Sequence, residues 1–221
     1  RRNLFVVLLD DDRRWYRYHH LFAELLRARL HQSGPEPVAR LQSRAAEWCE
    51  RDGQAAEAVT YALSAKDYGR AARLLARYWG YAASTGEIET VWSWMDALPE
   101  DVVRNSAPLS VACCWVLWLR GQIGLIEAHL VDAERALGEL PVPEGGNGGE
   151  GYATLPAELT ALRSFVARYH NEFEAAIGHA ERALSLAPKE LPPEANVQLR
   201  TVIFLALASA YEGAGDLERA A

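Results

Sequence analysis

The chain has 221 residues, enough for one large domain or two small ones with a substantial core. Half of it is hydrophobic and 24% is charged, ordinary for a globular chain, and its net charge of −7 argues against nucleic-acid binding by this chain, which needs basic residues to replace counterions. The charge is uneven: residues 1–44 hold nine Arg against five acids, +4, which leaves −11 on the remainder.

The first segment alone reads as β. Phe5-Val6-Val7-Leu8-Leu9 is apolar and partly β-branched, Asp10 to Asp12 reads as a polar turn, and Trp15 to His19 alternates aromatic and polar residues, so a hairpin is expected. From His20 the period changes to that of a helix, with Leu21, Phe22, Leu25, Leu26 and Leu30 on one face, stopped at Ser33-Gly34-Pro35. Beyond Pro35 the apolar spacing predicts helices near 36–51, 54–65, 68–83, 87–97, 107–120, 124–139, 155–170, 173–187 and 195–214, with a short helical turn at 100–104. A flexible loop is expected over 141–153, where glycines are too dense to order cheaply. Gly146 to Gly151 formally matches G-x-G-x-x-G. It follows a helix, with no strand before it, and reads as loop.

A repeat runs through the helical part. Ala133-Glu134-Arg135-Ala136-Leu137 recurs as Ala180-Glu181-Arg182-Ala183-Leu184, and Asn171 to Ala176 is echoed by Gly215 to Ala220. These segments resemble the tetratricopeptide repeat, in which small residues such as Ala176, Ala183 and Ala208 let helix backbones approach and stacked helix pairs share one core. The Ala176-to-Ala220 spacing of 44 residues exceeds the roughly 34-residue unit, so an extended variant is expected. The fold class is therefore all-α, a right-handed tetratricopeptide-like superhelix after a short β-hairpin.

The N-terminal block is more specific. Asn3-Leu4-Phe5, Asp10-Asp11, Trp15 to Phe22 and Leu25 to Leu30 resemble the end of the winged-helix module in MalT-type regulators. These are large bacterial LuxR-family transcription activators of the signal-transduction ATPase class. Ala45 to Trp48, Ala55 to Asp67 and Trp94 to Pro99 resemble the helical segment that follows it in that family. The family pattern has Pro after the Tyr-His pair, where His20 stands here. The resemblance implies a division into 1–34, the end of the winged helix; 35–105, a helical linker and first helix pairs; and 106–221, the sensor repeats. It implies a regulatory segment that senses an inducer and couples domains, with ATP or ADP bound elsewhere in a longer protein. This chain has no G-x-x-x-x-G-K-[ST] phosphate loop and no terminal helix-turn-helix. It also starts inside a strand and stops inside a helix, so it is expected to be a piece of that longer protein.

Candidate sites are few. The resemblance places His19 where the family's winged-helix His reaches the phosphates of ADP; the plainer alternative is a half-exposed residue supporting the strand-to-helix turn. The repeat pattern puts Cys114, Trp118, Phe165, Arg168, Tyr169, Ser209 and Glu212 on an inner face. There Trp118, Phe165, Arg168, Tyr169 and Glu212 are candidates to grip a small-molecule inducer or a protein segment, against the alternative of interhelix packing. Trp92 and Trp94 point to different faces of one helix, which places at least one at a domain or subunit contact. His20 with Glu24 has helical spacing but no third metal ligand.

No H-E-x-x-H, G-x-S-x-G or C-x-x-C motif occurs, so no catalysis is expected. Cys49, Cys113 and Cys114 are odd in number and include an adjacent pair, which suits a reducing compartment; Cys113-Cys114 reads as buried structure. No run is long enough to span a bilayer, and the short apolar run Leu4 to Leu9 meets acids rather than a cleavage site. A cytoplasmic protein without membrane partners, capable of self-association, is expected. The rival function is a tetratricopeptide-like protein-binding scaffold; an enzyme comes third.

Overall fold

The structure, a computed structural model, describes residues 5–8, 16–32, 34–138 and 150–216. These are mostly helical, with one β-hairpin at the start. They divide into two compact units, residues 1–67 and 68–221.

In the first unit, β1 (Val6–Leu8) and β2 (Tyr16–Tyr18) pair antiparallel, with Val6 opposite Tyr18 and Leu8 opposite Tyr16. The turn expected at Asp10 to Asp12 lies outside the described residues. Helix α1 (His20–Gln32) follows at once. His19 N–H donates to the Phe5 carbonyl at 2.8 Å, and the Phe22 ring meets those of Phe5 and Tyr18 at 4.7 and 5.4 Å. The apolar stripe of α1 is only partly covered. Phe22 reaches the hairpin, but Leu21 and Leu25 are exposed. Helix α2 (Pro35–Arg51) opens on a proline, whose missing N–H has no partner to lose there. It packs on α3 (Ala55–Ser64) through the buried Ala46, Cys49, Ala58, Val59 and Ala62, residues small enough to bring the two backbones together.

The second unit contains α4 (Tyr68–Ser84), α5 (Ile88–Asp96), α6 (Glu100–Arg104), α7 (Ala107–Leu119), a 3₁₀ turn at Ile123–Leu125 and α8 (Ile126–Gly138). After residues 139–149, which lie outside the description, come α9 (Glu150–Ala153), α10 (Leu155–Tyr169), α11 (Phe173–Leu186) and α12 (Pro193–Ala214). The loop expected over 141–153 is corrected at its end, where Glu150–Ala153 forms a turn of helix leading into α10. Most of the glycine-rich pattern Gly146 to Gly151 falls among the undescribed residues. Helices pack as consecutive pairs, α4 with α5, α7 with α8 and α10 with α11, and α10 also meets α7, α8 and α12. The pairs thus share one core, centred on side chains such as Val111, Leu117, Ile126, Leu130 and Leu162.

The repeated pentapeptide explains itself in this packing. Ala133 and Ala136 on α8, like Ala180 and Ala183 on α11, are all buried, while the Glu and Arg between them face solvent. On α12 the buried alanines are Ala206 and Ala210; Ala208 is half-buried.

A second repeat lies in the turns. Helices α2, α3, α4, α7, α10 and α12 are each followed by a residue in the left-handed region: Gly53, Lys66, Gly86, Gly121, Asn171 and Gly215. In every case its N–H bonds back three residues and the next N–H bonds back five, as in Gly121 to Trp118 and Gln122 to Leu117. This is the Schellman closure, which satisfies the last helical carbonyls. Glycine is the natural occupant because it has no Cβ to clash there. Lys66 and Asn171 adopt the same conformation at φ 57° and 63°.

Candidate functional site

Four helices of the second unit, α4, α7, α10 and α12, surround a cavity of about 580 Å³. All four end in the left-handed turn, and α4, α7 and α10 each open a helix pair. The volume lies within the usual range of small-molecule sites, roughly 300–1,000 Å³.

Local helix geometry builds the wall. Trp115 and Trp118 are three residues apart on α7, and Glu158 and Phe165 are seven apart on α10, so each pair shares a face. Their rings meet as a cluster. Trp118 and Phe165 have centroids 5.0 Å apart, while Trp115 stands edge-on to Trp118 at 6.1 Å and to Phe165 at 6.2 Å. Opposed quadrupoles favour such tilted arrangements over face-to-face stacking. Trp79 of α4 completes the aromatic lining, and Val202 and Leu205 enter from α12.

One carboxyl interrupts this apolar wall. Glu158 Oε2 accepts a hydrogen bond from Trp115 Nε1 at 3.2 Å, and the Thr154 hydroxyl bonds to the same group. Burial pushes the Glu158 carboxyl above the usual carboxylate range, and the two hydrogen bonds pull partly against that shift. Among the described lining residues Glu158 is the only one that carries an ionisable side chain; no Lys, Arg or His accompanies it.

The structure distributes the residues singled out in the sequence. Trp118 and Phe165 line the main cavity, and with Arg168 and Tyr169 they also line a smaller adjoining space of about 330 Å³. Arg168 is already engaged, its Nε donating to the Ser209 carbonyl at 2.8 Å and its guanidinium lying 5.9 Å from the Phe173 ring centroid. Tyr169 is exposed. Glu212 is exposed and lines neither space, and Cys114 is wholly buried in the core. His19 stands exposed at the β2–α1 junction, its ring 4.4 Å from that of His20.

The adjacent tryptophans of α5 have different neighbours. Trp92 lies under the Arg120 guanidinium at 4.6 Å, and Trp94 packs near Tyr78. Burial raises the Cys113 thiol to about 12 and moves Cys114 in the same direction, so neither is a thiolate at neutral pH. Sequence reasoning missed Trp79, Glu158 and the α12 side of the cavity. The usable signal was Glu158 itself, an acid on the apolar face of α10.

Residues 1–38 match the family model of the MalT winged helix domain. Over 192 residues, 87% of its length, the chain is 31% identical to a serine/threonine-protein kinase PknK of Mycobacterium tuberculosis, of which the match covers 17%. The PknK of Mycobacterium bovis matches to the same extent. The chain is also 29% identical over 220 residues, its full length, to the HTH-type transcriptional regulator MalT of Yersinia enterocolitica, covering 23% of it. No solved structure matches. The N-terminal end is thus homologous to a MalT-type winged helix, and the helical remainder to part of the same relatives. The chain spans about a fifth of the length of these curated relatives. Among the described residues, no helix is long and apolar enough to cross a membrane.

Proposed function

We propose that this chain is the effector-sensing and inter-domain coupling segment of a MalT-like, LuxR-family transcription regulator of the signal-transduction ATPase class. The reading is carried by the order of the matches: a MalT winged helix over residues 1–38, then alignment with a MalT regulator across the whole chain. In this account the helices form a right-handed tetratricopeptide-like superhelix without catalytic activity of its own. Its inner face takes up a small-molecule inducer or a regulatory protein better in one domain arrangement than in another, and only such differential affinity shifts the equilibrium. The aromatic cavity supports a sensing role. The exposed apolar side chains of the hairpin and α1, among them Phe5, Tyr18, Leu21 and Leu25, support a surface that meets other domains. His19 then contacts the phosphates of ADP held by a domain outside this chain, in a cytoplasmic protein that self-associates on activation.

A second reading, a tetratricopeptide-like scaffold that binds protein segments and senses no metabolite, is favoured by Val197, Phe204 and Leu205, which stand exposed on α12. Reading the coding sequence on both sides, and assaying the complete gene product for nucleotide and DNA binding, separates the two. The regulator reading expects a phosphate loop upstream and a helix-turn-helix downstream, each active in binding. Absence of both overturns it and leaves the scaffold.

A further inference from the structure

The cavity's composition says more about its occupant than its size does. Its walls are mainly indole and phenyl rings and aliphatic side chains, with Thr154, Gln198 and Thr201 as the neutral polar side chains, so they present few partners to a polyhydroxylated molecule. Its one ionisable side chain is the carboxyl of Glu158, and no cationic side chain among the described lining residues neutralises it. The two donors that reach that carboxyl, the Trp115 indole N–H and the Thr154 hydroxyl, are both neutral. An aromatic enclosure with one unneutralised acid is complementary to an organic cation. The rings offer their negative faces to an ammonium group, and the carboxylate supplies a charge-assisted hydrogen bond or ion pair.

We propose that this cavity binds an organic ammonium compound, an apolar body bearing a single positively charged nitrogen, held by Glu158 and the rings of Trp79, Trp115, Trp118 and Phe165. The inference deepens the sensing reading above and rests on it. It disfavours anionic ligands, which would meet an acid with no compensating cation among the described lining residues, Arg168 lying in the adjoining space and bonded to the Ser209 carbonyl. It also disfavours oligosaccharides, whose hydroxyls would lose more hydrogen bonds to water than this wall restores.

The test uses three probes with one body and different heads: 4-phenylbutylamine, 4-phenylbutanol and 4-phenylbutyrate, titrated into the 221-residue chain and followed by calorimetry and tryptophan fluorescence. A linear oligosaccharide serves as a fourth arm. The amine is expected to bind saturably, about tenfold or more tighter than the alcohol, with the butyrate weakest. Glu158→Gln is expected to bring the amine down to the level of the alcohol and to leave the alcohol within about threefold of wild type, since the amide keeps an acceptor without the charge. Should that variant fold poorly, Gln198→Lys gives an independent check. It places a competing cation on an exposed cavity position of α12, so amine binding falls while Glu158 stays intact. Equal affinity for all three heads, or preference for the butyrate, overturns the proposal. Saturable binding of the oligosaccharide without the amine overturns the ligand class and leaves sensing intact. Binding of none of the four overturns both the ligand class and small-molecule sensing, in favour of a protein occupant.

Discussion

The indole Nε1 of Trp115 donates to Oε2 of Glu158 across 3.2 Å, tying α7 to α10 at the wall of the cavity. The two residues are 43 positions apart, and the bond joins one helix pair to the next. A carboxyl in this place is costly when ionised, because burial raises its pKa.

The sign of that cost is testable. Folding favours the protonated form of Glu158, so its contribution to stability is full below the ordinary glutamate value of 4.5 and is lost as pH rises through the higher folded value. Glu158→Gln is therefore expected to raise the melting temperature at neutral pH. The gain should shrink as pH falls and vanish below 4.5. Thermal melts of both proteins from acid to neutral pH check this; a gain independent of pH contradicts it.

Phe165 touches both tryptophans of α7 and is almost wholly buried. Phe165→Ala is expected to cost about 3–5 kcal/mol in urea unfolding, the transfer of a large ring plus the cavity left behind. Tyr169, one turn further along α10 and exposed, is expected to lose less than about 0.5 kcal/mol on the same change.

Gly213 on α12 faces the Phe173 ring so closely that an added Cβ would stand 2.5 Å from its Cε1. Gly213→Ala is expected to destabilise the chain by about 1–3 kcal/mol through forced repacking. In a double-mutant cycle, Phe173→Ala should relieve most of that cost, and additive losses would contradict the contact.

The left-handed turns give a paired prediction. Lys66 adopts a conformation that penalises its Cβ, so Lys66→Gly is expected to stabilise by about 0.5–1 kcal/mol after the added freedom of the unfolded chain is set against it. Gly121→Ala, in the same turn geometry after α7, should destabilise by about 1 kcal/mol. Urea midpoints of the two variants, read against wild type, decide it.

Helix positions were legible because periodic stripes end at strong breakers. The α7 expected over 107–120 is found at Ala107–Leu119, and the α11 expected over 173–187 at Phe173–Leu186. The start of α12 was not, since Pro192-Pro193 reads as a break, whereas Pro193 sits in the first turn, where it is tolerated. The site was half legible. Trp118 and Phe165 follow from the repeat pattern, but α7 is buried from Leu109 to Leu117, so periodicity could not single out Trp115, which lines the same cavity. Arg168 looked free to hold a ligand. Its bond to Ser209 joins residues 41 apart, and no local pattern reports such a partner.

The measurement that bears most directly on the coupling role is the rate of ADP release from the complete gene product, compared between wild type and His19→Ala. A charge-assisted or strong neutral hydrogen bond from His19 to a phosphate predicts release about tenfold faster or more in the variant, with the fold unchanged by circular dichroism. A gene product that binds no nucleotide, or one whose release rate ignores His19, contradicts the account.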